Sequence, residues 1–203
     1  MTRAPGWPAV LSAGGVTLRP HRLRDAVKWS EVRLANEEWL RPWEPPGPGS
    51  FAERNGVAAY SPMVRGLRRT ARAGTQLAFV IWWGDRLIGQ LTVGTVVRGA
   101  LNGAHIGYWV DERSAGRGIC TLAVALAVDH CFGPVGLHRV EVNIRPENVA
   151  SRRVVEKLGF REEGLRLRYL LIDGAYRDHL CYALTSEDVP ESLLARCPAA
   201  GST

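Results

Sequence analysis

The apolar run from Ile119 to Phe132 is the feature that most constrains how this chain can fold. Its sequence, ICTLAVALAVDHCF, is apolar around nearly the whole circumference of a helix, so that helix has to be buried on most of its sides. Gly133-Pro134 marks the end of the run. Two glycines and two arginines stand directly before it, in the stretch RSAGRG. We therefore predict a buried helix that begins at a glycine-rich, positively charged turn.

The segments around this helix carry the apolar spacing of strands and of further helices. Strands are predicted at residues 16–19, 77–83, 87–97, 104–110, 138–144, 160–171 and 176–184. Helices are predicted at 23–40, within 52–73 and at 148–158, and Pro62 is expected to break or kink the second of these. The proline- and glycine-rich residues 41–49 predict an irregular loop. This element order predicts an α/β (α+β) fold with a mixed, largely antiparallel sheet of about seven strands, flanked by about four helices.

Length and composition place the chain among globular proteins of one domain. It has 203 residues, of which 46% are hydrophobic and 23% are charged. No apolar run approaches the roughly 20 residues of a membrane helix, and the first residues lack the apolar centre of a signal peptide. We therefore expect a cytoplasmic protein with no membrane partner. The expected organisation is an N-terminal extension over residues 1–15, one domain over 16–186 and a loosely attached tail over 187–203.

The cysteines do not indicate a metal site or a disulfide framework. Cys120, Cys131, Cys181 and Cys197 are scattered along the chain, without a CxxC pair. No histidine stands at a spacing typical of zinc sites. We expect free thiols and no bound metal.

The chain is basic, with a formal net charge of +6, and all of its basic residues except Lys28 and Lys157 are arginines. Guanidinium groups suit phosphates and carboxylates, although a compositional bias would produce the same excess. The charge is compatible with a phosphorylated cofactor, an acidic surface or a nucleic acid. The exposed face of the second predicted helix would carry four arginines: Arg65, Arg68, Arg69 and Arg72.

The RSAGRG stretch predicts an anion site at the start of the buried helix. A helix start presents unpaired N–H groups and the positive end of the helix dipole. Gly116 and Gly118 permit a sharp turn and a close ligand, Arg113 and Arg117 add positive charge, and Thr121 adds a hydroxyl. The stretch lacks the lysine of a P-loop and the third glycine of a dinucleotide fingerprint. The alternative is that the glycines only form a tight turn between a strand and the helix.

Two motifs, in order, resemble the signatures of the GNAT acetyltransferase superfamily. Arg113-x-x-Gly116-x-Gly118 matches the pattern R/Q-x-x-G-x-G/A. About 30 residues later, NVASRRVVEKLGF is similar to the N-x-x-S…E-K-L-G-F signature of RimJ/RimL-type protein N-terminal acetyltransferases. The stretches WLRPWEP and DGAYRDHLCYAL also resemble that subfamily. The resemblance covers residues 16–186 and implies the GNAT fold.

The resemblance implies that acetyl-CoA is the cosubstrate. In the family the first motif holds the pyrophosphate, which implies contacts from the backbone of residues 116–120. Val110 would lie on the strand edge that pairs with the pantetheine arm, and Asn148 would bond to that arm, with a helix N-cap as the alternative role for Asn148. The expected cofactor-binding residues are Val110, Arg113, Gly116, Arg117, Gly118, Ile119, Cys120, Thr121, Asn148 and Ser151.

Three residues are candidates for catalysis. The resemblance places Ser151 beside the departing CoA thiolate, as an acid or as a hydrogen-bond donor to its sulfur. Many relatives have a tyrosine four residues further on, where this chain has Val155, and the absence of that tyrosine makes Ser151 the better candidate for the acid. His105 and Glu141 are rival candidates for the base, and a backbone N–H of residues 108–110 would hold the oxyanion. The alternative to catalysis is a structural role for each: Ser151 on the helix surface, His105 on a face of the sheet, and Glu141 paired with an arginine.

The acceptor side is expected around the proline-rich loop. Trp39, Trp43 and Glu44 match the substrate-side loop of the family, and Tyr176 would line the same side, although tryptophans that close the core are the alternative. The resemblance implies direct acetyl transfer to the N-terminal amine of a ribosomal protein with a small first residue, such as Ala or Ser. It leaves docking to the ribosome and a homodimer open.

Two other functions remain open at the level of the sequence. A small amine, such as an antibiotic or a polyamine, would require a deep acidic pocket, whereas a peptide would require an open groove. An RNA- or ribosome-binding module would use the arginine face, but that face lacks interleaved aromatic residues other than Tyr60.

Overall fold

An eight-stranded mixed sheet organises residues 4–197, the part of the chain that the computed structural model describes. The strands are β1 (Leu11–Ala13), β2 (Val16–Pro20), β3 (Leu77–Trp83), β4 (Arg86–Val97), β5 (Gly103–Val110), β6 (Arg139–Ile144), β7 (Arg161–Ile172) and β8 (Ala175–Thr185). They lie in the order β1-β2-β3-β4-β5-β6-β8-β7. All neighbouring pairs are antiparallel except β5 and β6, which are parallel.

Helices cover both faces of the sheet. Those of the described residues are α1 (Ala26–Ala35), α2 (Glu37–Leu40), α3 (Phe51–Asn55), α4 (Val57–Arg72), α5 (Ile119–Phe132) and α6 (Val149–Lys157). Phe79 and Ile81 of β3 belong to the apolar cluster around α5. Val80, between them, packs in a second cluster with Trp29 of α1 and Tyr60 of α4. Successive residues of one strand therefore enter two apolar layers, which explains the continuous apolar sequence of β3.

The predicted fold class is confirmed, and so is the buried helix from Ile119 to Phe132. The seven predicted strands are all present, but the sequence did not predict β1, whose three residues are too few to show a period. The predicted helix at 23–40 is divided into α1 and α2, and the helical region predicted within 52–73 contains two helices, α3 and α4. The expectation that Pro62 breaks the helix is wrong, because α4 runs through it, and Gly56 separates α3 from α4 instead.

The parallel pair β5–β6 creates an opening near the middle of the sheet. Its pairing consists of Gly103 with Arg139, Ala104 with Val140, and His105 with Glu141, and it ends there. Beyond His105, β5 stays paired with β4 as far as Val110, and β6 stays paired with β8 on its other side. The two strands therefore separate over residues 106–110 and 142–144, and we call this opening the wedge. The turn that leads into α5 follows β5 directly, at the mouth of the wedge.

The segment after β8 is anchored, so the expectation of a loosely attached tail is wrong for residues 187–197. Leu193 is fully buried. The Asp129 carboxylate of α5 accepts hydrogen bonds from the Ser192 hydroxyl at 2.6 Å, the Leu193 N–H at 2.7 Å and the Leu194 N–H at 3.3 Å. No helix within residues 4–197 combines the length and apolar character needed to cross a membrane.

Candidate active site

The turn before α5 presents a row of unpaired backbone N–H groups. Gly116 and Gly118 have φ values of 76° and 75°, in the left-handed region that favours glycine. A Cβ at either position would meet no heavy atom within 4 Å, so both glycines face open space. The N–H groups of residues 116–120 have no hydrogen-bond acceptor among residues 4–197. This cradle fits a diphosphate, because such groups and the helix dipole favour an anion.

The two arginines of the turn have different surroundings. Arg113 donates to both oxygens of the buried Asp111 carboxylate, from Nε at 3.1 Å and from Nη2 at 2.9 Å. Burial raises the pKa of Asp111, but hydrogen bonds from Arg113 and Asn36 outweigh this effect and hold the pKa below its usual value. Arg113 therefore shapes the turn, and its charge is partly neutralised. Arg117 stacks on Trp83, with its guanidinium carbon 5.1 Å from a ring centroid, and has no ion-pair partner in the described part of the chain.

Asn148 and Ser151 lie together at the start of α6. The Asn148 side-chain oxygen Oδ1 accepts a hydrogen bond from the Ser151 N–H at 3.0 Å, so the N-cap role weighed for Asn148 is confirmed. The Nδ2 group of Asn148 donates to no atom of the described residues, so its two hydrogens remain for a ligand. The Ser151 hydroxyl oxygen lies 2.9 Å from the hydroxyl oxygen of Tyr108, on β5 beyond the end of the parallel pairing. Val155, one turn further along α6, is fully buried.

His105 and Glu141, the rival base candidates, are direct neighbours. They are the last paired residues of β5 and β6, with His105 Nδ1 3.6 Å from a Glu141 carboxylate oxygen. Burial lowers the pKa of His105 and outweighs the opposing Glu141 charge, so the imidazole is neutral at pH 7. The Asn143 amide donates to His105 Nδ1 at 2.8 Å, which leaves the ring proton on Nε2. Arg139 Nε donates to Glu141 at 2.7 Å, so the arginine partner weighed for Glu141 is also present.

A cleft of about 400 Å³ lies between the proline-rich loop, α3 and the β7–β8 turn. Its lining includes Glu44 together with Phe51 and Asp173. The Asp173 N–H donates to the Glu44 carbonyl oxygen at 3.0 Å, so the loop and the hairpin are in contact. The lining mixes carboxylates with guanidinium groups: Glu37, Glu44, Asp173, Arg41 and Arg54.

Of the four residues predicted for the acceptor side, only Glu44 lines this cleft. Its carboxylate is held by Arg33, so it is not free to attract a cationic peptide. Trp43 stacks under Arg145, with the guanidinium carbon 5.3 Å from a ring centroid. Trp39 lies in α2, and its Nε1 donates to the Val110 carbonyl oxygen at 3.2 Å, on the strand edge that was predicted to pair with the pantetheine arm. Tyr176 is exposed, away from the cleft lining.

Sequence reasoning missed three contributions to the site. The Tyr108 hydroxyl, the Asn143 amide and the buried Arg33 guanidinium each act on a residue far away in the chain. None stands in a motif. Arg33 is one of three charged residues in α1, together with Lys28 and Glu31, so its burial had no local signal in the sequence. Tyr108 and Asn143 had none either.

Comparisons with known proteins agree with this geometry. Residues 16–161 match the family model described as acetyltransferase (GNAT) domain. The structure of Mycobacterium smegmatis RimJ in complex with CoA-disulfide is similar over 95% of this chain and 94% of that one, with 48% identity and a TM-score of 0.91.

Two curated proteins are similar in sequence. The [ribosomal protein uS5]-alanine N-acetyltransferase of Escherichia coli (strain K12) is 31% identical over 81% of this chain and 84% of its own length. "Probable N-acetyltransferase YjcK" of Bacillus subtilis (strain 168) is 43% identical, over 51% of this chain and 58% of its own length.

Proposed function

The chain belongs to the GNAT acetyltransferase family, and on that premise we propose that it moves acetyl from acetyl-CoA to the N-terminal α-amine of a ribosomal protein that begins with a small residue such as Ala or Ser. The observation that carries the proposal is the cradle of unpaired N–H groups at the mouth of the wedge. Two relatives support this choice of acceptor. One is the RimJ protein of Mycobacterium smegmatis, and the other is named as an N-acetyltransferase of alanine on ribosomal protein uS5. Such an enzyme would work in the cytoplasm, where ribosomes are.

In this proposal the backbone of residues 116–120 and the Arg117 guanidinium bind the diphosphate of acetyl-CoA. The edge of β5 at Val110 and the Nδ2 group of Asn148 bind the pantetheine arm. The Val110 carbonyl oxygen already accepts a hydrogen bond from the Trp39 indole, and its second lone pair is the one that would pair with that arm. Acetyl-CoA supplies the activated acetyl group as a thioester.

Transfer of acetyl to an N-terminal amine needs only modest assistance from the protein. An N-terminal amine has a pKa of about 7.7–8.0, so a sizeable fraction is neutral at pH 7. The neutral amine attacks the thioester carbon, a backbone N–H of residues 108–110 stabilises the oxyanion, and the C–S bond then breaks with its electron pair on sulfur. The Ser151 hydroxyl donates a hydrogen bond to that sulfur.

The proton that the amine releases goes to the His105–Glu141 pair. The neutral His105 ring accepts it at Nδ1, in place of the hydrogen bond from Asn143. The Glu141 carboxylate, 3.6 Å away, then stabilises the imidazolium. The two rival base candidates therefore act as one unit in this proposal.

In this proposal the 400 Å³ cleft lined by Glu44 and Asp173 receives the acceptor, so we call it the acceptor cleft, and its charges favour a peptide over a small amine. Its lining carries both signs of charge, and within the described residues its Glu37 and Glu44 carboxylates are already paired with Arg41 and Arg33. A polyamine or an aminoglycoside would need free carboxylates that match several ammonium groups. A peptide N-terminus, with one ammonium group and one small side chain, needs fewer free carboxylates.

We also propose that one face of α4 docks on ribosomal RNA. Arg65, Arg68, Arg69 and Arg72 follow the spacing i, i+3, i+4, i+7 and are exposed, whereas Tyr60 and Val64 face the core. None of the four arginines has an ion-pair partner among residues 4–197. Reversing two charges, in Arg68→Glu/Arg69→Glu, should weaken salt-sensitive cosedimentation with ribosomes and leave turnover of a free peptide unchanged. Unchanged cosedimentation would contradict this role.

The test of the proposed function is acetylation of defined acceptors. The protein is mixed with acetyl-CoA and peptides that begin with Ala or Ser, and CoA release and product mass are measured. A peptide with a blocked α-amine and an internal lysine is the matched control. Acetyl should appear on the free α-amine only, at a rate that rises with pH up to about 8 as the amine loses its proton. Turnover with aminoglycosides or polyamines alone would overturn the proposal.

A further inference from the structure

Helix α6, which carries Ser151, contains no tyrosine, but the hydroxyl of Tyr108 reaches Ser151 from another element. Val155, one turn beyond Ser151 on α6, is fully buried and apolar. Tyr108 comes from β5, on the opposite side of the wedge, and its hydroxyl oxygen lies 2.9 Å from Ser151 Oγ and 3.3 Å from the Ser151 carbonyl oxygen. A second hydroxyl therefore reaches the candidate catalytic serine from a different element.

We propose that Tyr108 is a positioning residue, which donates its hydrogen to Ser151 Oγ and thereby directs the Ser151 hydrogen toward the sulfur of bound CoA. The inference rests on the proposed function, in which Ser151 serves that sulfur. It adds a residue that no motif assigned.

The Tyr108 hydroxyl has one hydrogen, and Ser151 Oγ at 2.9 Å is a nearer acceptor for it than the Ser151 carbonyl oxygen at 3.3 Å. Among residues 4–197, Ser151 Oγ has no hydrogen-bond partner other than the Tyr108 hydroxyl. If Tyr108 donates to Oγ, the Ser151 hydrogen is free to bond to a sulfur in the wedge. The Ser151 N–H is already fixed by Asn148, so the backbone and the side chain of Ser151 are each held by one partner.

Tyr108 does not act as the proton source. Burial raises the pKa of Tyr108, so the hydroxyl keeps its proton throughout the neutral range. The departing thiol, with a pKa near 8.5 for a simple thiol, needs only a hydrogen bond as the C–S electron pair moves to sulfur. The step therefore balances without transfer of a proton from either hydroxyl.

The experiment measures the ionisation of the CoA thiol itself and requires no acceptor peptide. The thiol pKa of protein-bound CoA is measured from the ultraviolet absorbance of its thiolate, for the wild type, Tyr108→Phe, Ser151→Ala and the double variant. Tyr182→Phe is the matched control, because Tyr182 is a buried tyrosine of β8 whose hydroxyl contacts Arg152 of α6 instead.

We expect the bound thiol to have a pKa below that of free CoA in the wild type and in Tyr182→Phe, because a hydrogen bond to the thiolate favours the charged form. Tyr108→Phe and Ser151→Ala should each raise it by about half a unit or more, and the double variant should match Ser151→Ala, because Tyr108 acts through Ser151. In turnover, Tyr108→Phe should lower kcat by about fivefold and leave the KM for acetyl-CoA within about twofold.

An unchanged thiol pKa in Tyr108→Phe, or additive effects in the double variant, would overturn the inference. An unchanged thiol pKa in Ser151→Ala would overturn it as well, together with the proposed role of Ser151. If the thiol pKa values follow the expected pattern and no α-amine is acetylated, only the proposed acceptor fails.

Discussion

The guanidinium of Arg33 and the carboxylate of Glu44 form a two-pronged ion pair that joins α1 to the proline-rich loop. Arg33 donates to both Glu44 oxygens, and its Nε donates to Asn55 at 3.0 Å. The Arg33 side chain is only 7% exposed, and its guanidinium carbon lies 4.9 Å from the ring centroid of Trp109, on β5. Since Glu44 also bonds to the β7–β8 turn, this pair links a strand of the wedge to both walls of the acceptor cleft.

The first prediction concerns this ion pair. Replacing Arg33 by methionine should lower the free energy of unfolding by about 3 kcal/mol, because a buried pair is broken at one partner. The KM for the acceptor peptide should rise by about tenfold, while the KM for acetyl-CoA stays within about twofold, because the loop moves and the glycine turn does not. Chemical denaturation and steady-state kinetics measure the two effects.

Arg41→Met is the control for that prediction. Arg41 lines the same cleft and pairs with Glu37, but its side chain is 60% exposed. Its loss should change the free energy of unfolding by less than about 0.5 kcal/mol. Equal effects of the two substitutions would show that burial of the Arg33–Glu44 pair does not organise the cleft.

The second prediction concerns the cradle before α5. An alanine at Gly118 must adopt a φ near 75°, which costs about 1 kcal/mol, and its methyl group projects into the space assigned to the diphosphate. We expect Gly118→Ala to weaken acetyl-CoA binding by about tenfold or more, as measured by titration calorimetry.

Gly136→Ala is the control, because it introduces the same backbone strain outside the cradle. Gly136 has a φ of 69° and open space around its missing Cβ, but it lies in the turn before β6. The Gly136→Ala variant should lose about as much unfolding free energy as Gly118→Ala and keep its affinity for acetyl-CoA. If both alanine variants bind acetyl-CoA as the wild type does, the glycine turn does not hold the cosubstrate.

The third prediction is a pH dependence of stability centred on His21. This side chain is buried, its Nδ1 lies 3.1 Å from the Tyr60 hydroxyl, and burial lowers its pKa to about 4, against an opposing effect of Asp25 and with a reinforcing effect of Arg19. Unfolded His21, with a pKa near 6.5, binds its proton first as the pH falls. Stability that is fully present above about pH 6.5 is therefore lost between about pH 6.5 and pH 4, by roughly 3 kcal/mol.

His21→Gln removes this titration. Its free energy of unfolding should fall less steeply than that of the wild type between pH 7 and pH 4.5, in urea denaturation at matched ionic strength. Parallel curves for the two proteins would contradict the assignment of this pH dependence to His21.

The fourth prediction concerns the anchored segment after β8. Asp129→Ala removes the acceptor of three hydrogen bonds from residues 192–194 and should cost about 2 kcal/mol of unfolding free energy. Limited proteolysis should then cut the chain after Thr185 faster than in the wild type. Glu187→Ala, which removes an exposed partner of His138, should do neither. Resistance of Asp129→Ala to the protease would contradict the anchoring role of Asp129.

The parts of the site that sequence analysis found are those encoded locally. The Gly116-x-Gly118 spacing and the apolar run behind it need only a few consecutive residues to indicate a turn, an unpaired helix start and a buried helix. Asn148 is similar, because an N-cap and the serine three residues later form their hydrogen bond within one turn.

The parts that it did not find depend on register between distant segments. His105 and Glu141 were rival candidates because nothing in the sequence states that the parallel pairing of β5 and β6 brings these two residues opposite each other. Tyr108 reaches Ser151 across 43 residues, from one side of the wedge to the other. The resemblance to the substrate-side loop of the family assigned Trp39 to the acceptor side, and it does not state that the fold turns the Trp39 indole toward β5.

The most direct test of the account is a crystal structure of the protein with bound acetyl-CoA. We predict that the diphosphate lies within hydrogen-bond distance of the N–H groups of residues 116–120, with the pantetheine arm in the wedge and its sulfur next to Ser151. A structure in which acetyl-CoA lies elsewhere, with those N–H groups making no contact to it, would contradict the account.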